Sequence, residues 1–196
     1  MKCETPDCEG KAVFHLTWIE NRACMRQQHL CLPHGRAEMH RGVRIERGSR
    51  FTGPRGNLEH ASQFEIAFIV ISEVDDRQAV FLSEVDGTRQ FSIVIGTFEA
   101  TSLDRKLKSY RSPRPQTHNA FADCIRLLGG DLQYVLVHHL EGQTYYTDGL
   151  IRANGRLLVL DMRPSDAFNL ALEFGRPIFF AEQVLERIAQ SSDASG

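Results

Sequence analysis

Four of the five cysteines of this 196-residue chain fall within its first 31 residues, and two close pairs of ligands stand out among them. Cys3 and Cys8 make a C-x4-C, Cys31 and His34 make a C-x2-H, and the residues between are enough for a hairpin that brings the pairs together. Thiolates and a neutral imidazole are preferred zinc donors, and four of them with no open position make a structural site rather than a catalytic one. Cys24 and His29 are competing ligands, either of which replaces His34 if the second strand of the hairpin is shifted. A module this short has too little apolar surface to fold unaided, so metal binding and folding are expected to be coupled.

An odd cysteine count, with no basic and apolar leader in Met1-Lys2-Cys3-Glu4-Thr5, favours reduced thiols and metal ligation over disulfides; the expected compartment is the cytoplasm. The longest apolar run, Ile66 to Ile71, is far short of the ~20 residues that cross a bilayer, so no membrane partner is expected. Residues 1–63 carry ten Lys/Arg against seven Asp/Glu, and the remainder thirteen against eighteen, which together give the net charge of -2. The larger part is therefore no basic nucleic-acid binder by composition. Contact with nucleic acid would have to come from local basic patches or from metal ions held by the acids.

Four segments follow. Residues 1–35 read as the zinc-binding module and 36–63 as a basic linker carrying Arg36, Arg41, Arg44, Arg47, Arg50 and Arg55, either a phosphate-touching stretch or a solvated tether. Residues 64–190 read as the main domain and 191–196 as a disordered tail. Within the main domain, Ile66 to Val74, Gln78 to Val85 and Gln90 to Ile95 predict a strand meander. A helix follows over 97–108. Thr117 is expected to cap a second helix ended by Gly129-Gly130. Leu132 to Leu140, Thr144 to Ala153 and Arg156 to Leu160 return to strand character. A helix opened near Pro164 or Ser165 closes at Gly175, and a short strand from Pro177 to Phe180 leads to a last helix near Glu182 to Ile188. The predicted class is mixed α+β: a predominantly antiparallel sheet with packed helices, preceded by the zinc-binding hairpin. His138 and His139, adjacent on a strand, are expected to point to opposite faces and not to share a metal.

Two resemblances can be read from the motifs. Ala12-Val13-Phe14-His15-Leu16-Thr17 followed by His29-Leu30-Cys31 resembles the zinc-binding start of bacterial arginine-kinase activator proteins, which implies a folded adaptor surface without activity of its own. His34 stands where that pattern usually has cysteine. In the main domain, Ile95-Gly96-Thr97-Phe98-Glu99-Ala100, Arg114-Pro115-Gln116-Thr117-His118-Asn119 and Asp161-Met162-Arg163-Pro164-Ser165-Asp166-Ala167 each lie where a strand or loop feeds a helix. With Pro177-Ile178-Phe179 they resemble the bifunctional nuclease domain over about residues 64–190. That resemblance implies hydrolysis of phosphodiester bonds in DNA and RNA with divalent metal support. One departure is Asn119, where the family pattern usually reads Thr-His-Asp.

The residues themselves are compatible with such chemistry. Glu99, Asp161 and Asp166 offer oxygen ligands for Mg2+ or Mn2+, although Asp166 also suits the first turn of a helix for its dipole alone. His118, in a first helical turn and so expected neutral, is the candidate general base, with an exposed helix-start histidine as the rival. Arg114, Arg163 and Ser165 are candidate substrate contacts. Lys106, Lys108 and Arg111, with Arg105 and Tyr110 among them, form a basic and partly aromatic stretch that can track a nucleic-acid backbone or simply solvate a helix end. The expected function is a metal-dependent nuclease. The alternative is a non-catalytic nucleic-acid-binding or regulatory adaptor that docks a protein partner through the zinc module; either reading admits a homo-oligomer.

Overall fold

A computed structural model of the chain describes residues 1–20, 23–39, 58, 60–74 and 77–193. Most of the expected basic linker, and residues 194–196 of the expected tail, lie outside the described residues. The chain divides into two compact units.

The first unit comprises residues 1–44, 66–83 and 89–110. Strands β1 (Phe14–Glu20) and β2 (Ala23–Leu30) form the expected antiparallel hairpin, and α1 (Leu32–Met39) follows it directly. Strand β3 (Ala61–Ser72) gives this unit its residues from Ile66 onward, and Phe68–Ser72 pair antiparallel with β1. Strand β4 (Gln78–Glu84) pairs with β3 and with β5 (Gln90–Ile95). Alternation places Phe14 and Leu16 of β1 in one buried cluster with Leu30, Val70, Ala79 and Phe81, to which the sulfur-bearing residues Cys3 and Cys31 also belong. Phe68 stacks on Phe81 with ring centroids 4.2 Å apart. Fully burying a side chain such as Phe14, Leu16 or Val70 contributes about 1.5–3 kcal/mol. Helix α2 (Thr97–Leu107) buries Ala100, Leu103 and Leu107 at the predicted helical spacing. It also buries Asp104, whose carboxylate accepts the Thr17 hydroxyl at 2.7 Å and pairs with Lys108 at 2.5 Å.

The second unit comprises residues 45–65, 84–88 and 111–196. Its sheet runs from the start of β3 through β9 (Ile178–Ala181), β6 (Gly130–Glu141) and β7 (Thr144–Ala153) to β8 (Arg156–Met162). All neighbours are antiparallel except β6 and β9. Helix α3 (Thr117–Leu127) packs on α4 (Pro164–Phe174) and on β6, while α4 covers β6 and β7 and α5 (Glu182–Asp193) covers β6 and β9. Phe64, Phe168 and Phe180 are fully buried, with Phe180 touching both of the other rings. The mixed α+β class with a mostly antiparallel sheet is as the sequence predicts.

Three details differ. The N-cap of α3 is Gln116, not Thr117, because the Gln116 backbone N–H is met by the Asn119 side chain at 3.2 Å. Helix α5 runs on to Asp193 rather than ending near Ile188. A β-bulge between Val137 and His139 interrupts the regular alternation assumed at the adjacent histidines. His138 reaches Asp148 at 3.5 Å, and His139 stands opposite Tyr146, two residues along the same strand as Asp148.

Candidate metal centre and candidate active site

Backbone hydrogen bonds from Cys3 to Gly10 (2.8 Å) and from Cys8 to Thr5 (3.2 Å) fold the first ligand pair into a loop. The second pair sits where β2 ends and α1 begins. A side chain on Gly35 would place its Cβ 2.2 Å from the Phe14 ring, so only glycine lets that first turn close on the hairpin and present His34. The outcome is a compact donor set. Cys31 Sγ lies 3.2 Å and Cys3 Sγ 3.5 Å from His34 Nδ1, Cys8 Sγ lies 3.6 Å from Cys31 Sγ, and all four ligand atoms are within 4.8 Å of one another. Tetrahedral bonds of about 2.0–2.3 Å space their donors roughly 3.3–3.8 Å apart, so this group can hold a metal ion such as zinc.

The electrostatics agree. Burial raises the Cys3 thiol, but the Thr5 hydroxyl, the backbone N–H groups of Cys31 and Thr5, and His34 outweigh it and bring the thiol down to about 5. For Cys8 the Gly10 backbone pulls downward, yet burial and the sulfurs of Cys31 and Cys3 prevail and raise it. A second thiolate is thus resisted beside the first, which is the condition a cation among the sulfurs relieves. Of the competing ligands, His29 is engaged elsewhere. Its Nδ1 lies 2.6 Å from His15 Nδ1, and His15 Nε2 lies 2.8 Å from Glu73, whose carboxyl the His15 bond holds below its ordinary value. The Cys24 side chain lies outside the described residues.

In the second unit, the first turns of α3 and α4 meet. His118 Nε2 lies 3.0 Å from Asp166 Oδ1. Arg163, the N-cap of α4, donates from Nε to Asp166 Oδ2 at 2.8 Å and from Nη2 to Oδ1 at 3.2 Å. Burial raises Asp166, but its bonds to Arg163 and His118 outweigh this and hold the carboxyl below its ordinary value. Pro164 at the first helical position and Gly175 as a left-handed C-cap (φ 63°) fix the ends of α4, as its sequence predicts. Next to this group, Asn119 uses both ends of its amide: Oδ1 accepts the Gln116 N–H, and Nδ2 donates to Glu173 at 2.8 Å.

The other candidates are placed as follows. Asp161 is exposed on β8, directly opposite Asp148 of β7. Ser165 is only 5% exposed, and Asn169 donates to its carbonyl. Arg111 and Arg114 are exposed. Glu99 and Lys106 of α2, and Lys108 as its C-cap, belong to the first unit, where the Glu99 carboxylate folds back over Gly96 and Lys108 is paired with Asp104. Sequence reasoning missed Asp148, whose Asp148-Gly149 pair reads as a turn signal inside a strand, and Glu173, which sits one α4 residue before Phe174 with no motif to mark it.

The family model for the bifunctional nuclease domain matches residues 80–193, from β4 through α5. Two relatives from Mycobacterium tuberculosis are each 31% identical over 123 residues, which is 63% of this chain and 73% of the relative. They are the uncharacterized protein MT1877 of strain CDC 1551 / Oshkosh and the uncharacterized protein Rv1829 of strain ATCC 25618 / H37Rv. The matched stretch includes His118, Asp161, Arg163 and Asp166, and leaves the Cys3, Cys8, Cys31 and His34 cluster outside it. On this match the chain belongs to the family that carries the bifunctional nuclease domain.

Proposed function

We propose that this protein is a nuclease that hydrolyses phosphodiester bonds of DNA or RNA with the help of a divalent cation. The observation that carries the reading is the His118, Asp166 and Arg163 group at the meeting of two helix starts, within the family-matched region. With Nε2 paired to Asp166 at 3.0 Å, His118 is the proposed general base for an attacking water. Asp166 orients the ring and steadies it as it becomes charged. Arg163, whose side chain is 66% exposed, and Arg114 meet the charge on the phosphate. A Mg2+ or Mn2+ ion held there would supply polarisation of the phosphodiester and acidification of water. Asp161 is the candidate ligand, while Asp166, with both oxygens already bonded, serves the histidine. Lys106, Lys108 and Arg111 are proposed contacts to the nucleic-acid backbone. The N-terminal cluster is proposed to hold zinc and to keep the hairpin folded as a surface for a protein partner, in the cytoplasm.

Purified zinc-loaded protein is expected to degrade labelled nucleic acid only with added Mg2+ or Mn2+. His118→Gln is expected to lower the rate by about 10²–10⁴-fold while leaving nucleic-acid binding in place. Undiminished cleavage by Asp161→Ala protein free of contaminating nuclease would sink the metal-assisted mechanism. Binding without cleavage by the parent favours the adaptor reading.

A further inference from the structure

Strand β8 ends its sheet, and its outer edge is unguarded. It pairs with β7 on one side and with no strand on the other among the described residues. Sheets ordinarily protect such an edge with lysine, proline or a bulge, or cover it. β8 reads Arg156-Leu157-Leu158-Val159-Leu160-Asp161-Met162, without lysine or proline, and its register with β7 is unbroken. Leu157, Leu158 and Val159 are 55%, 49% and 50% exposed. Successive residues of a strand face opposite sides, so both faces of β8 are open as well as its edge. The apolar patch continues onto the end of α3. A Cβ on Gly129 would lie 3.6 Å from Asn154 Oδ1 of the β7–β8 turn, and Gly130 stands opposite Ala153. Leu127 and Leu128, 86% and 72% exposed, directly precede these glycines and so lie at the same end of the sheet. Five large exposed aliphatic side chains gathered in this way mark an interaction surface.

We infer that β8 pairs antiparallel with β8 of a second copy of this chain, in a twofold dimer whose sheet runs through both copies. The strand is complementary to itself: its one cation, Arg156, opens it, its one anion, Asp161, lies near its end, and the positions between are aliphatic. Antiparallel pairing sets the Arg156 end of each copy beside the Asp161 end of the other, whereas parallel pairing would oppose like charges. Alternate residues of β8 spend their N–H and C=O groups on β7, and those between turn theirs outward. A twofold axis must match outward residues with outward residues, so it passes through one residue position and not between two. Centred on Leu158, it sets Leu157 against Val159 of the second copy, Arg156 against Leu160, and Asp161 against Gly155, which has no side chain to crowd the carboxylate. Centred on Val159 or Leu160, it would press Asp161 against an aliphatic side chain, at the cost of desolvating a charge. The Leu158 register is the one that keeps Asp161 open. The dimer does not depend on the nuclease reading.

The test uses full-length protein with zinc supplied, and reads molar mass by light scattering and analytical ultracentrifugation over a concentration series. The parent is expected to have the mass of two chains and Leu158→Lys the mass of one, with the same far-UV circular dichroism. Val94→Lys, at a valine of β5 that is 57% exposed, is the control and is expected to stay dimeric. The register is read in Cys124→Ser protein, which lacks that exposed thiol, against the same protein without an added cysteine. Leu158→Cys meets its own counterpart directly across the axis, with Cβ atoms about 4.5–5.5 Å apart, and is expected to crosslink two copies under mild oxidation. Leu157→Cys, whose counterpart is diagonal at about 7–8 Å, is expected to crosslink far less. If Leu158→Lys does not fold, the two cysteine variants decide the matter. A parent that is monomeric at every concentration overturns the inference, and so does a dimer that Leu158→Lys leaves intact. Crosslinking through Leu157→Cys in preference to Leu158→Cys overturns the pairing about Leu158.

Discussion

Asn119→Asp is the most informative single change, because it restores the residue that the family pattern usually has and disturbs a specific contact here. The Asn119 amide donates to Glu173 at 2.8 Å, and the Glu173 side chain is only 23% exposed. A carboxylate at 119 removes that bond to a charged acceptor, worth about 1.5–3 kcal/mol. It also sets two negative charges at hydrogen-bond distance, a repulsion of roughly 1–4 kcal/mol across the dielectric range of a protein surface. Glu173 can turn toward Arg126, whose Nη1 lies 3.6 Å from its other oxygen, and so relieve part of this. The cap on Gln116 survives, since a carboxylate oxygen accepts as well as an amide oxygen. The net expectation is a loss of about 2–3 kcal/mol, which for a chain of this size is a fall of roughly 4–12 °C in Tm. The repulsion needs both groups ionised and raises one of the two carboxyls, so it is full at pH 7.5, fades as pH falls through that raised value and is gone near the unfolded pKa of about 4. Thermal and urea unfolding of both proteins at pH 7.5 and pH 4 is the assay, alongside cleavage against Mg2+ concentration. Equal stability at pH 7.5 together with an activation curve shifted to lower Mg2+ would refute the reasoning and make position 119 a metal ligand.

Protein purified without added metal is expected to contain one zinc per chain by elemental analysis, and Cys31→Ser to contain far less. Gly35→Ala is expected to lower zinc retention as well, through the clash with Phe14 rather than through any ligand. Asp166 is held below its ordinary value by Arg163 and His118. Its contribution is therefore present above the unfolded pKa of about 3.9 and is lost as pH falls through the lower folded value. Asp166→Asn is expected to flatten that acid limb of an unfolding-versus-pH curve and leave the limb above pH 6 parallel to the parent; an unchanged acid limb would count against the contact.

The local parts of this fold were readable from sequence, and the long-range ones were not. Asn154-Gly155 marks the β7–β8 hairpin because both residues take positive φ, at 50° and 74°, as a two-residue turn of that kind requires. Gly175 closes α4 for the same reason. The four donors that could hold a metal were legible because each pair is local and only the hairpin had to join them. His118 and Asp166 were each singled out for their place at a helix start, but their contact spans 48 residues and the Asn119 to Glu173 bond spans 54. No periodicity encodes such pairings. The opposition of Asp148 and Asp161 depends on register, which a hydrophobic pattern fixes only to the face and not to the partner. The bulge at His138 shifts the β6–β7 register by a residue, and nothing in the sequence around it marks the place.

Strand β9 gives the second unit an order of assembly. It occupies only Ile178–Ala181, yet it pairs with Ala61–Phe64 on one side and Val135–Val137 on the other. Until it arrives, the edges of β3 and β6 that it joins have no strand between them, and Phe64 lacks the Phe180 ring it packs against. During synthesis the ribosome must therefore release more than 180 residues before this sheet can close, whereas the β1–β2 hairpin and the Cys3, Cys8, Cys31 and His34 donors are all out once residue 34 has emerged. Its contacts are among the most distant in sequence, and loop closure over such spans is slow. The newborn chain thus spends a window with an ordered front end and an unfinished sheet whose bare edges invite foreign strands, and a chaperone's protection matters most in that interval.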